Sequence, residues 1–237
     1  MVLQIPSGRT QPQIRWDPLP ADFILPDDPV DNIQQPALAA ALTDALGSNG
    51  RIQPHMLMAA NMALVATVNG RLVVKAPDWF YVPRVYPVAE GVIRRSYTPY
   101  LEGSAVEIVM EFLSDAEGGE LSMRSTPPLG KLYFYEQILQ VPTYVTYDPY
   151  TTCLEVRQWQ QGSYSLQAAD EQGRFWIPSL RLYLGIWLGE RLGQHMHWLR
   201  WWDSAGNLLL WGSEQTEQER SRAEQERQKG KLPDSDR

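Results

Sequence analysis

The sequence predicts an α/β fold: a central mixed β-sheet flanked by helices, with additional C-terminal β structure and a polar tail. Residues 106–113 alternate as a strand does, which places four apolar side chains on one face. Residues 131–140 space their apolar side chains as an amphipathic helix does, and residues 144–147 are again extended. Because neighbouring parallel strands need a crossover connection, this order predicts a mixed sheet.

The segments before this core are predicted from turn residues and composition. Residues 1–30 contain six prolines and predict an extended arm. Residues 36–46 are rich in alanine and leucine and predict a helix. Residues 58–68 and 71–75 predict two strands joined by an Asn-Gly pair, which is a strong signal for a two-residue hairpin.

Short β-rich runs bounded by turn residues predict further strands. They lie at 79–82, 154–158, 164–166, 176–187, 198–202 and 208–211. The last two are joined across residues 203–207. From residue 214 to 231 almost every side chain is polar or charged and no apolar stripe is present, which predicts a solvated helix or a disordered tail.

Composition and charge exclude several classes of protein. No apolar segment approaches the roughly 18 residues that a membrane span needs, and no charged and apolar N-terminal leader is present, so we expect a cytoplasmic protein without a membrane partner. The single cysteine, Cys153, fits a reducing compartment. The net charge of -7 and pI of about 5.0 mean that any nucleic-acid substrate would need a local basic patch.

Two acids stand inside apolar runs and are the main candidates for chemistry. Asp78 follows Pro77 at the start of one predicted strand, and Glu111 lies deep in another. An isolated buried charge costs several kcal/mol unless a cation, a metal or hydrogen-bond donors meet it. Two carboxylates holding a divalent cation are what a metal-dependent phosphodiesterase needs.

Several separated blocks around these acids carry a family resemblance. In chain order they are Lys75–Pro83 with the Pro77-Asp78 pair, Arg94–Tyr97, Ile108–Ser114 with Glu111, Gly130-Lys131 with Tyr135-Glu136-Gln137, Val141–Pro149, Trp198–Asp203 and Gly206–Leu209. Together they resemble the Uma-type endonucleases of the PD-(D/E)XK superfamily over roughly residues 16–230.

The resemblance implies a restriction-endonuclease-like core and Mg²⁺-dependent (or Mn²⁺-dependent) cleavage of nucleic acid, with DNA as the expected substrate. It implies Asp78 and Glu111 as catalytic metal ligands and Lys131 as the assisting cation. The expected domains are the arm at 1–30, an endonuclease-like domain at 31–212 and a tail at 213–237. By analogy with nucleases of this fold, we also expect a homodimer.

One position departs from the superfamily pattern. That pattern places lysine two residues after the second acid, where this chain has Leu113. The resemblance moves the role to Lys131 at the start of the next helix, with Lys75 as the less favoured substitute. Glu107 and Glu120 are expected to be peripheral ligands at most.

Simpler interpretations stand beside these assignments. Asp78 alone could end a turn, Glu111 could pair with Arg94 or Arg95, and Lys131 could be a surface lysine. His195 and His197 alternate on one strand, but no third metal ligand is near them in sequence.

The alternative function is a catalytically inactive nuclease-fold protein that acts as a binding or assembly module. It is favoured by Leu113, by the acidic net charge and by the aromatic-rich C-terminal region. Convergence of the acids and the lysine around one polar site would favour the enzyme.

Overall fold

The computed structural model describes residues 12–20, 22–23, 33–113 and 121–229. Its helices are α1 (Gln34–Ser48), α2 (Lys131–Tyr133, continued by the π-helical turn Phe134–Ile138) and α3 (Gly212–Lys229). Its strands are β1 (Ile14–Arg15), β2 (Leu57–Ala59), β3 (Ala63–Val68), β4 (Arg71–Lys75), β5 (Trp79–Val82), β6 (Ser96–Tyr97), β7 (Ile108–Phe112), β8 (Thr143–Asp148), β9 (Cys153–Gln160), β10 (Ser163–Leu166), β11 (Phe175–Ile177), β12 (Leu182–Arg191) and β13 (Gln194–Trp202).

The central sheet runs in the order β10-β9-β8-β7-β5-β2. β7 and β8 are parallel, whereas the other neighbouring pairs are antiparallel. The connection between β7 and β8 contains α2. The predicted mixed sheet with a helical crossover is therefore confirmed.

A second, smaller sheet has the order β1-β3-β4, and β6 pairs with β3 in parallel. The predicted hairpin joins β3 to β4, and its turn residues Asn69 and Gly70 both have positive φ, +50° and +75°. Two consecutive positive φ angles are the geometry that an Asn-Gly hairpin turn adopts. This sheet contributes Leu64 and Ala66 to a core against the central sheet.

Residues 58–68 were predicted as one extended segment, and this prediction is wrong. β2 pairs with β5 in the central sheet, whereas β3 belongs to the smaller sheet. The chain turns at Asn61, which has a φ of +50° and donates its backbone N–H to the carbonyl of Pro77 at 3.0 Å. A distant backbone acceptor therefore fixes the break.

Two apolar cores lie on opposite faces of the central sheet, and β7 supplies side chains to both. Ile108, Met110 and Phe112 join the core shared with α1 and the β11–β13 sheet. Val109 joins the core beneath the smaller sheet and α2. Because strand side chains alternate, Glu111 shares the face of Val109 and points to the side of α2.

Tryptophan side chains hold α1 in place. Trp201 donates its indole N–H to the carbonyl of Leu42 at 3.2 Å, and Trp211 donates to that of Ala41 at 3.1 Å. Both indoles are buried. Part of the high tryptophan content thus serves the core.

The C-terminal prediction is correct for residues 198–202, which lie in β13, and for most of 176–187, where residues 178–181 separate β11 from β12. It is wrong for residues 208–211, which the structure does not place in a strand. An isolated bridge joins Trp202 and Leu208. The ring of Trp211 instead lies under the guanidinium of Arg200, whose Cζ is 3.4 Å from the ring centroid. Arg200 is fully buried and bonds Glu214, in the first turn of α3, at 2.6 Å. The polar segment that follows is helical to residue 229, and residues 230–237 lie outside the described part.

Of the predicted arm, the structure describes residues 12–20 and 22–23. Ile14 and Arg15 pair antiparallel with β3, and the side chain of Arg95 donates to the carbonyls of Pro20 and Phe23 at 2.6 and 3.3 Å. The other arm residues lie outside the described ranges. Among the helices described, none combines the length and apolar character needed to cross a membrane.

Candidate active site

Asp78 and Glu111 face each other across two antiparallel strands. β5 and β7 pair Trp79 with Met110 and Phe80 with Val109. Continuing this register by one residue sets Asp78, which directly precedes β5, opposite Glu111. Directly opposed residues have Cβ atoms roughly 4.5–5.5 Å apart, and like charges at such positions repel. The two carboxyl groups therefore lie close together, and a bound cation would offset their repulsion when both are ionised.

Glu111 is fully buried, and both oxygens of its carboxylate accept hydrogen bonds. Lys131 donates from Nζ to Oε2 at 3.1 Å, and the Tyr135 hydroxyl donates to Oε1 at 2.8 Å. Burial raises the pKa of Glu111 to about 8, the Lys131 charge opposes this rise and the Asp78 charge adds to it. Burial and the neighbouring Glu111 raise the pKa of Tyr135 well above its usual value, so the hydroxyl remains a donor.

The start of α2, which carries Lys131, packs closely against the loop before it. A Cβ atom on Gly130, directly before the helix, would lie 2.0 Å from the carbonyl oxygen of Ser122. Glycine therefore permits a close backbone approach between the start of α2 and the loop at Ser122. Tyr135 lies in the π-helical turn that continues α2. Such turns occur frequently at functional sites.

Asp78 is held against the end of β7. Its Oδ2 accepts the backbone N–H of Phe112 at 2.5 Å. The backbone carbonyl of Phe112 accepts a hydrogen bond at 2.8 Å from Nε2 of Gln35, a buried residue of α1. Both backbone groups next to Glu111 are therefore engaged, and this fixes the strand end that carries the acid.

The donor set fits a hard divalent cation. Mg²⁺ in proteins is commonly bound by one or two carboxylates, keeps several waters and takes its remaining ligands from substrate phosphates. Asp78 and Glu111 supply two carboxylates, and their mutual repulsion falls when a cation binds. In the described ranges, no group of three or more His, Cys, Asp or Glu side chains could hold a metal ion. The fit therefore rests on this pair.

A family model matches residues 26–191, a span that contains both acids and Lys131. The matching family is Uma2, whose description is "Putative restriction endonuclease". The chain belongs to the Uma2 family. The resemblance and the restriction-endonuclease-like fold predicted from the sequence are thereby confirmed. A comparison with curated proteins found no match.

The structure also places most of the residues that the sequence suggested as substitutes or peripheral ligands in this Uma2 protein. Lys75 ends β4 and lines a cavity. Glu107 directly precedes β7 and is half-buried, and burial raises its pKa. Leu113 follows β7 and donates its backbone N–H to Tyr147 at 2.8 Å. Glu120 lies outside the described residues.

The arginine alternatives for Glu111 have other partners. Arg94 bonds Glu102 at 2.5 Å, and Arg95 bonds backbone carbonyls near the arm. His195 and His197 lie on β13. The bonded partners of the buried acid are a lysine and a tyrosine, and the tyrosine was not among the predicted site residues. Its signal was its place four residues after Lys131, one helical turn along the predicted helix.

Proposed function

We propose that this Uma2 protein is a metal-dependent endonuclease that hydrolyses phosphodiester bonds of DNA. The observation that carries the proposal is the opposed pair of Asp78 and Glu111 with the Lys131 ammonium 3.1 Å from the buried acid. In this proposal Asp78 and Glu111 bind Mg²⁺ or Mn²⁺. The bound ion would supply positive charge against the phosphate oxygens as negative charge develops in the transition state.

The protein side chains have separate tasks in this proposal. Lys131 is 27% exposed, so its ammonium is positioned between Glu111 and solvent and can donate to a phosphate oxygen. Tyr135 and the Phe112 N–H hold the carboxylates of Glu111 and Asp78 in place. Hydrolysis joins the oxygen of water to phosphorus and breaks the bond from phosphorus to the departing nucleotide oxygen. The water loses one proton and the departing oxygen gains one, so the step balances through exchange with solvent.

The alternative is an inactive binding or assembly module. One observation favours it: both carboxylate oxygens of Glu111 already accept hydrogen bonds from the protein. A metal ion would then have to share or replace one of these donors. Metal-dependent cleavage separates the two functions.

The test compares the full chain with Asp78→Ala and Glu111→Ala on single- and double-stranded substrates in Mg²⁺, in Mn²⁺ and in EDTA. We expect cleavage by the wild type with metal and at least a 100-fold loss in both variants, a loss in the range that single catalytic groups contribute. Glu190→Ala, at an exposed position on β12, is the matched control and should cleave normally. Equal cleavage by every protein would indicate a contaminant and refute the proposal.

Two further expectations stay predictions. They are the endonuclease-like domain at 31–212 and the homodimer. Sedimentation velocity of the full chain would test the dimer directly.

A further inference from the structure

A cavity of about 620 Å³ lies between β4 and the segment that leads into α2. Arg71 and Lys75, at the two ends of β4, are its cationic lining residues. Phe23 and Tyr133 contribute aromatic rings, and the remaining lining is mainly aliphatic and proline side chains with a few small polar ones. No carboxylate occurs among the described residues that line it. In a chain of net charge -7, this cavity is locally basic.

Two chain segments connect the lining of the cavity to the candidate active site. Lys75 is three residues before Asp78, and Tyr133 is two residues after Lys131 in the same helix. Arg71 and Lys75 share one face of β4 and are about 13 Å apart along the strand. β4 therefore carries both cations on one face, and the chain continues from Lys75 to Asp78 within three residues.

The size of the cavity limits what it can hold. Its volume lies within the range of roughly 300–1,000 Å³ that is typical of small-ligand pockets. That is room for one or two nucleotides but not for a duplex. Sites for single strands combine a basic groove with aromatic rings on which bases stack, and this lining has both parts.

We propose that this cavity binds an unpaired stretch of DNA next to the scissile phosphodiester, so that the substrate is single-stranded or locally unpaired DNA. The inference rests on the proposed function. Arg71 and Lys75 contact the backbone phosphates, and Tyr133 stacks on a base. A local basic patch of this kind is what an acidic chain needs to bind a polyanion.

The test measures fluorescence anisotropy of the full chain with a labelled single-stranded DNA, the corresponding blunt duplex and an RNA of the same sequence. EDTA prevents metal-dependent cleavage, and low salt favours phosphate contacts. We expect the single-stranded DNA to bind at least tenfold more tightly than the duplex. Tighter binding of the duplex or of the RNA would overturn the proposal.

Two variants locate the binding. Arg71→Glu changes an exposed residue and should weaken single-strand binding at least tenfold at low salt. Tyr133→Ala should weaken it by about 5- to 150-fold, the loss expected for one stacked base. Arg222→Glu, on α3 and outside the cavity lining, is the charge-matched control and should bind like the wild type. Circular dichroism verifies folding, and wild-type affinity in both cavity variants would refute the site.

Failure of the cavity proposal and failure of the nuclease proposal give different results. Metal-dependent cleavage of duplex DNA with no cleavage of single strands would leave the nuclease intact and remove the cavity proposal. Cavity-dependent binding of single-stranded DNA without metal-dependent cleavage would support the cavity and remove the nuclease.

Discussion

Replacing Glu111 by glutamine tests the candidate site through stability, without a nuclease assay. Burial raises the pKa of Glu111 to about 8 from 4.5. Above pH 4.5 the unfolded chain therefore releases a proton that the folded protein retains until about pH 8. The contribution of Glu111 to the free energy of unfolding is therefore fully present below pH 4.5. It is lost as the pH rises from 4.5 to about 8.

The size of the effect follows from the shift. One pKa unit corresponds to about 1.4 kcal/mol, so metal-free wild type should lose about 2 kcal/mol through Glu111 between roughly pH 6 and pH 8. For a chain of this size that is a fall in Tm of roughly 4–8 °C. Glutamine has nearly the same shape and does not titrate. The Glu111→Gln variant should therefore lack this part of the pH dependence.

Thermal unfolding in EDTA across this pH range measures the difference between the two proteins. Glu190→Gln, which changes an exposed acid, is the control and should follow the wild type. Addition of Mg²⁺ at about 100 times its Kd should then stabilise the wild type by about 2.7 kcal/mol and leave Glu111→Gln unchanged. Parallel pH profiles for wild type and Glu111→Gln would refute the reasoning from burial.

Three further substitutions test the support of the site and of the fold. Tyr135→Phe removes the hydroxyl that donates to Glu111 and should lower Mg²⁺ affinity or cleavage by about 10- to 100-fold, measured by titration calorimetry and initial rates; unchanged affinity and rate would contradict this. Gly130→Ala adds a Cβ that would collide with a backbone carbonyl, so cleavage should fall although the residue contacts neither acid, and wild-type rates would show that the helix start tolerates the shift. Glu214→Ala leaves the buried Arg200 without its carboxylate and should reduce the free energy of unfolding by about 3 kcal/mol in urea titrations, whereas a loss below about 1 kcal/mol would contradict a strong buried pair.

Local signals predicted much of the fold. The Asn69-Gly70 pair specified its hairpin because few residue pairs adopt two positive φ angles so readily. The alternation along residues 106–113 correctly placed Glu111 on the opposite face to Met110. The helix that follows predicted the parallel neighbour, because a crossover constrains topology strongly.

The differences arise where distant groups decide the local structure. The break at Asn61 depends on the carbonyl of Pro77, and the absence of a strand at residues 208–211 accompanies the packing of Trp211 on Arg200. Neither partner is visible in a short window of sequence. The place of Tyr135 beside Glu111 also required the helix to be docked, which no periodicity specifies.

The sequence also predicted which two acids form the candidate site, but not every side chain that donates a hydrogen bond to them. Asp78 and Glu111 were identified from apolar surroundings and from the family resemblance, and the register of β5 with β7 sets them opposite each other. The resemblance named Lys131, and the structure brings it to Glu111.

Delivery of the ammonium from α2 has a consequence for β7. β7 itself carries a single ionisable side chain, Glu111, and the residue that follows the strand is the uncharged Leu113. The acid and the ammonium lie on separate elements, Glu111 on β7 and Lys131 on α2. A change in the position of α2 relative to the sheet would therefore alter the distance between Lys131 and Glu111 without moving either acid along its strand.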